Sequence, residues 1–329
     1  MTGLVGLHHI ALVARDAARS ADFYERILGL QSLGAGDAPA TFPDRAGGMT
    51  TTMARYFTAS ANAQSLVSIA EQPDATQGAP GIGGTHHFAF CVENREVLLK
   101  WKRHFLDEGV AVNGILDRHY FQSIYVQDPD GTIVELATRG PGWARDEAAE
   151  AIGEIHCVPP AEMVNTNRDR ARVTAENWPE PVKDITERMK ITGMHHVTAI
   201  GTSIEATHAF VAGQLGMRRV KRTNNFDDIN SFHWYWGIGE GKPGTLVTYF
   251  ERSPAREKPV QMGAGQVAHY AVSATADAIA PLHANMKDAG LPVSELAEFG
   301  PDSARFLAMA TQDPDGQPVV VASRKQRGK

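Results

Sequence analysis

At 329 residues, with 43% hydrophobic and 21% charged residues, the chain is long enough for a large core and for two domains or two halves of one assembly. A formal charge of −6 and a pI near 6.1, with no dense Lys/Arg block, argue against a nucleic-acid footprint or a membrane-surface role. The opening stretch MTGLVGLHHIALVARD has no basic leader, and no run approaches the ~18 apolar residues a membrane helix needs, so neither a signal peptide nor a membrane partner is expected. Cys91 and Cys157 are too few for a disulfide scaffold, which leaves a cytoplasmic protein of small-molecule chemistry as the expectation.

In chain order, GLHHIALVA (6–14) reads as a strand, DAARSADFYERILGL as a helix ending near glycine, and SLVSIAE (65–71) as a further strand. A second unit opens with GTHHFAFCV (84–92), continues with the helical pattern NREVLLKWKRHFLDEGV, and closes with FQSIYVQDPDGTIVELAT (121–138), two strands turned at Asp-Pro-Asp-Gly. Residues 139–190 fit neither pattern; rich in charges and prolines, they read as a connecting segment with a helix or two packed on the surface. GMHHVTAIG (193–201), SIEATHAFVAGQLGM and GTLVTYFE (244–251) form a third unit. GQVAHYAVS (265–273), ADAIAPLHANMKDAGL, RFLAMATQ (305–312) and a second Asp-Pro-Asp-Gly at 313–316 form a fourth. A βαβββ module therefore occurs four times, which predicts an α+β fold with a first half at 1–138, a connecting segment at 139–190 and a second half at 191–329.

Glu135 stands inside an otherwise apolar return strand, where a carboxylate is costly unless a positive group sits beside it. Successive strand residues point to opposite faces, so only one ring of each His-His pair is expected to face a given side of its sheet. If the first strands of two modules lie side by side, one histidine from each enters a shared cleft that Glu135 can join. Two neutral imidazoles and one carboxylate on one face of an ion suit non-haem Fe(II), and the same donors accept Mn(II). The fourth module has Val320 where the second has Glu135, and a single His269 where the others have pairs, so one metal per chain is expected.

The repeated modules resemble the vicinal-oxygen-chelate superfamily, which includes glyoxalase I, extradiol ring-cleaving dioxygenases and antibiotic-resistance proteins. THHFAF, LDRHYFQSIYVQDPDGTIVELATRGPGWARDE and IGEIHCVPP resemble one half of the hydroquinone-type ring-cleaving dioxygenases. KITGMHHVTAIG, RRVKRTNNFDDINSFHWYWG and PGTLVTYFER resemble the other half, and the two halves stand here in exchanged order. The resemblance implies four βαβββ modules paired into two half-open barrels, with His87, Glu135 and His196 as metal ligands in a cleft between the second and third modules. The first and fourth modules would form a degenerate cleft around His9.

The same resemblance implies that His86 and His195 line the substrate cavity, where a histidine can titrate near neutral pH. It places Arg118 and Tyr125 near the bound phenol or oxygen, and Thr198 is a comparable candidate beside His196. The competing reading of each is a hydrogen-bonded core residue or, for Arg118, an exposed one. Phe226 in NNFDD and the aromatic run FHWYW are read as cavity wall or core. The implied activity is that of an Fe(II)-dependent ring-cleaving dioxygenase, which inserts both atoms of O2 into a hydroquinone- or catechol-type ring. The alternatives are a glyoxalase-like isomerase or lyase using Ni, Zn or Mn, whose sites usually offer four protein ligands, often with two carboxylates, and a metal-free protein that binds an aromatic ligand. A small aromatic substrate and O2 are the expected partners, and assembly into a homo-oligomer is left open.

Overall fold

Runs rich in Val, Ile, Phe and Tyr form strands throughout the computed structural model, which describes residues 3–39, 50–59 and 66–324. Ser65, the first residue of the strand expected at 65–71, lies outside them. The first module comprises β1 (Leu4–Ala14), α1 (Ala17–Asp22), β2 (Gln31–Pro39), β3 (Thr51–Thr58) and β4 (Leu66–Glu71). The second comprises β5 (Thr85–Val92), α2 (Arg95–Asp107), β6 (Asn113–Asp117), β7 (Gln122–Gln127) and β8 (Ile133–Thr138). The connecting segment contributes β9 (His156–Cys157) and α3 (Arg170–Ala175). The third module is β10 (Gly193–Gly201), α4 (Ile204–His208), β11 (Arg218–Asn224), β12 (Phe232–Gly237) and β13 (Leu246–Glu251). The fourth is β14 (Val267–Ala274), α5 (Ile279–Asp288), β15 (Ala297–Phe299), β16 (Phe306–Gln312) and β17 (Pro318–Arg324).

Among the described residues these strands form two mixed sheets, each a half-open barrel, so the fold is α+β. One runs β15-β16-β17-β14-β1-β4-β3-β2 and the other β6-β7-β8-β5-β10-β13-β12-β11-β9. In every module the last strand returns parallel to the first: β4 on β1, β8 on β5, β13 on β10, β17 on β14. Modules then join through their opening strands, β1 antiparallel to β14 and β5 antiparallel to β10. Each sheet therefore combines one module from each half of the chain, the outer modules in one and the inner modules in the other.

Helix α2 starts at Asn94, whose side chain accepts from the Val97 amide at 3.1 Å, and buries Val97, Leu98, Trp101 and Phe105 in the core. It also anchors the connecting segment. Trp101 Nε1 donates to the Met189 carbonyl at 2.7 Å, and the Lys102 ammonium donates to the carbonyls of Val173 and Thr174 at 2.8 and 3.1 Å, in the last turn of α3. Strand β9 adds the segment to the sheet of the inner modules by pairing parallel with β11.

The two Asp-Pro-Asp-Gly turns are built alike. Asp128 Oδ1 accepts from the amides of Asp130 and Thr132 at 3.0 and 2.8 Å, and Asp313 Oδ1 from those of Asp315 and Gln317 at 2.9 and 2.8 Å. Gly131 and Gly316 follow with φ of 96° and 87°, a backbone glycine adopts at little steric cost. Burial pushes the Asp313 carboxyl up from 3.8 to about 6. Between those values the folded chain holds more protons than the unfolded one, so this group's contribution to stability falls as pH rises from 3.8 toward 6. In urea unfolding across that window, the stability of wild type relative to Asp313→Asn is expected to decline with rising pH, by up to about 3 kcal/mol.

Candidate metal centre and its cavity

Strand register brings the three candidate ligands together. Glu135 on β8 pairs with Ala89 on β5, and Ala89 pairs on its other side with His196 on β10. His87 lies two residues before Ala89 and so shares its face of β5. Nε2 of His87 lies 3.0 Å and Nε2 of His196 3.4 Å from Glu135 Oε2, and the two nitrogens are 3.3 Å apart. All three side chains are buried, Glu135 completely.

Ser123 on β7 donates its hydroxyl to Glu135 Oε1. Oε2 accepts no well-formed hydrogen bond despite its two imidazole neighbours. Three lone-pair atoms thus converge on one point in a buried setting, and a divalent cation satisfies all of them at once. Burial acts to raise the Glu135 carboxyl, but His196 and then His87 hold it well below the usual carboxylate range.

The first histidine of each pair departs from strand alternation. Pairing of β10 with β5 skips from Met194↔Phe90 to His196↔Ala89, and from Thr198↔His87 to Ala199↔Thr85, so His195 and His86 are the extra residues of two β-bulges. A bulge re-aims its side chain. As a result the two rings of each pair meet instead of pointing apart: His86 Nδ1 lies 2.7 Å from His87 Nδ1, and His195 Nδ1 lies 2.9 Å from His196 Nδ1. If Nε2 of each ligand presents its lone pair, Nδ1 carries the hydrogen and donates to the preceding histidine. His195 then donates from Nε2 to the Thr138 carbonyl at 3.2 Å, and His86 keeps an Nε2–H donor for the cavity. Burial pushes both His86 and His195 down to about 3, so neither titrates near neutral pH as the sequence led one to expect.

The triad opens into a cavity of about 330 Å³ lined by His86, His87, Glu135, His196, Arg118 and Tyr125 together with Phe121, Phe226, Phe250 and a ring of polar residues. This size is at the low end of small-molecule sites, which span ~300–1,000 Å³. Arg118 donates from Nε and Nη2 to the Tyr125 hydroxyl at 3.2 and 3.1 Å and pairs with Asp227 at 2.9 Å. Since the Tyr125 oxygen accepts both of these bonds, its hydrogen is left to donate elsewhere. Burial pushes the Tyr125 phenol up, and it remains protonated. Burial would lower the Arg118 guanidinium, but Tyr125 and Asp227 more than reverse this and keep it a cation.

Thr198 lies beside the triad, its hydroxyl 3.0 Å from His87 Nε2 and 2.8 Å from the Thr248 hydroxyl. His195 does not line this cavity. It packs on Phe121 with ring centroids 4.8 Å apart and borders a neighbouring pocket that Phe121 also lines. Sequence reasoning had His233 only within the run FHWYW and Asn225 only within NNFDD, without a role for either in the cavity; His233 engages Thr248 and Tyr235 at 2.9 and 2.8 Å, and Asn165 and Arg168 were missed altogether. His233 alternates with Trp234 and Trp236 along β12, a parity that places it on the cavity face; the others sit in irregular segments with no periodic signal.

The outer modules provide an internal comparison. Val320 pairs with Ala271, and Ala271 with His9, the same three-strand relation that links Glu135, Ala89 and His196. Without a carboxylate, His9 Nε2 and His269 Nε2 hydrogen-bond directly at 2.8 Å, and burial pushes His9 down to about 3. Asp146, Glu147 and Cys157 form a second cluster of potential ligands, but the ammonium of Lys221 fills it, 2.6 Å from Asp146 and bonded to Glu147.

Residues 6–136 match the family model described as the Glyoxalase/Bleomycin resistance protein/Dioxygenase superfamily. The matched residues span the first two modules. The chain is 34% identical over 137 residues to MhqO of Bacillus subtilis (strain 168), provisionally named as a ring-cleaving dioxygenase, covering 42% of each protein. It is 30% identical over 140 residues to chlorohydroquinone/hydroquinone 1,2-dioxygenase of Sphingobium indicum, covering 39% of this chain and 43% of that enzyme. The matched segments span less than half the length of these curated relatives. A crystal structure of a Bacillus subtilis protein provisionally titled a dioxygenase superposes with a TM-score of 0.68 at 18% identity, over 98% of this chain and 86% of that one. Glyoxalase I from Zea mays superposes at 0.58 and 15% identity, over 97% and 92%. At these identities the two structures establish a shared fold.

Ser123→Ala removes the donor that orients Glu135. It is expected to weaken Mn(II) binding about 10–100-fold in equilibrium dialysis, the range typical when a group that orients a ligand is lost.

Proposed function

We propose that the chain is a non-haem iron dioxygenase that cleaves the ring of a hydroquinone- or catechol-type substrate, with both atoms of O2 entering the product. The observation that carries this reading is the triad: two imidazoles and one carboxylate, on three adjacent strands, opening to one side into a cavity sized for a single ring. His87, His196 and Glu135 would hold Fe(II), or Mn(II), which when bound supplies a route for electrons from an electron-rich ring to O2, chemistry that no side chain performs. The superfamily match and the dioxygenase names of the curated relatives support the same class.

The remaining residues bind and orient the ring. Arg118 provides fixed positive charge near a ring oxygen, and the Tyr125 hydroxyl and His86 Nε2–H provide hydrogen-bond donors for negative charge developing there. Phe226 and Phe250 give the ring apolar walls and exclude water. Asp227 is the second carboxylate of the cavity, but Arg118 and Arg168 hold it in ion pairs at 2.9 and 3.2 Å, so it does not add a further ligand of the kind an isomerase site would use.

The curated alignments run over 137 and 140 residues, while structural likeness extends over 98% of the chain. An exchanged order of halves accounts for both, since a sequence alignment keeps chain order while repeated modules superpose in either order.

O2 uptake by anaerobically Fe(II)-loaded protein is the test, over a panel of hydroquinones and catechols with ring-opened product quantified. Uptake should match product, vanish in Glu135→Ala, and fall about 10²–10³-fold in kcat in Arg118→Met. Absence of uptake across the panel at verified iron occupancy would overturn the reading.

A further inference from the structure

The cavity wall made by the connecting segment and the turn after β11 offers hydrogen-bond donors with nothing to donate to. Asn225 is 2% exposed, and its Oδ1 accepts from the Asp227 amide at 2.8 Å, which fixes the other amide atom as nitrogen. That nitrogen, Nδ2, is buried without a hydrogen-bond partner, in a residue that lines the cavity. Arg168 reaches the same cavity from the connecting segment; its Nη2 donates to the Met163 carbonyl at 2.8 Å and to Asp227 at 3.2 Å, and its buried Nε has no partner. The Asn165 amide donates to the Phe226 carbonyl at 2.8 Å and so fastens the two segments together. Buried donors left unsatisfied are costly, so a pair in the wall of one cavity implies an acceptor among the groups it takes in.

The charges agree. The residues lining the cavity include two cations, Arg118 and Arg168, and two carboxylates, Glu135 and Asp227. At the triad, a divalent ion, Glu135 and one phenolate sum to zero. Around it, Arg118, Arg168 and Asp227 sum to one positive charge, and a single anion completes the balance. Burial, followed by the like charge of Arg118, pulls the Arg168 guanidinium below its ordinary value, in keeping with a cation short of counter-charge.

We propose that Arg168 and Asn225 form a subsite for a carboxylate on the ring, making a carboxylated para-diphenol the preferred substrate class over an unsubstituted one. This rests on the reading above that a diphenol occupies the triad. Two donors without acceptors favour a group that only accepts hydrogen bonds, as a carboxylate does, over a phenol, which would also need an acceptor.

The test is anaerobic calorimetric titration of the Fe(II)-loaded chain with 2,5-dihydroxybenzoate and with hydroquinone; without O2 there is no turnover, and the readout is affinity. Wild type should bind the carboxylated probe at least about tenfold more tightly. That ratio should fall to about one in Arg168→Gln and be partly retained in Arg168→Lys, by the same reasoning. Asn225→Asp keeps the oxygen that anchors the turn but replaces the donor by a like charge, and should invert the preference. A wild-type ratio of one, or a preference that survives both Arg168→Gln and Asn225→Asp, would overturn the subsite. Hydroquinone binding and O2 uptake alongside a ratio of one would leave the dioxygenase reading standing and remove only the subsite, whereas failure of both probes to bind would remove both.

Discussion

Glu135 carries a carboxylate with no solvent exposure in the middle of a nine-stranded sheet, and its surroundings are arranged to answer that charge. Ser123 takes one oxygen from the strand on one side, while the other faces imidazoles contributed by the next two strands. The arrangement depends on pairing register. A slip of one residue between β8 and β5 would turn Glu135 to the opposite face and leave an unanswered charge in the core. The Asp-Pro-Asp-Gly turn leading into β8 sets how far the chain runs before Glu135, and its tight hydrogen bonding to Asp128 holds that distance.

Much of this was legible from the residues. The four modules stand out because each repeats a strand, an amphipathic helix and further strands, and the pairing of inner with inner and outer with outer modules is the one that the ligand motifs required. The residues singled out around the triad largely share one cavity, and the Val320 that replaces Glu135 marks the barrel without a carboxylate.

Two things were not legible. Strand parity assumes regular pairing, whereas the bulges at His86 and His195 exist only once β5 and β10 meet; parity therefore set each pair of rings on opposite faces, and tertiary pairing brought them together. Similarity of motif also treats His86 and His195 alike, yet one lines the cavity and the other packs on Phe121 beside a neighbouring pocket. Arg168 and Asn225 lie in polar, aperiodic stretches whose composition suits a solvated loop, and only the docking of one stretch on the other makes them a wall. The outer barrel shows how little separates a ligand set from a packed core: the same backbone with valine in place of glutamate lets two histidines satisfy each other.

The pairing of modules is nested. The inner barrel closes across 109 residues, between His87 and His196, and the outer one across 260, between His9 and His269. A chain emerging from its N-terminus makes the first module earliest yet must keep the inner edge of β1 waiting until β14 has been synthesised, so this early-made segment has the longest exposure to mispairing. The site-bearing barrel can assemble while that wait continues. The module pair that lacks the carboxylate is therefore the last of the four-module fold to close.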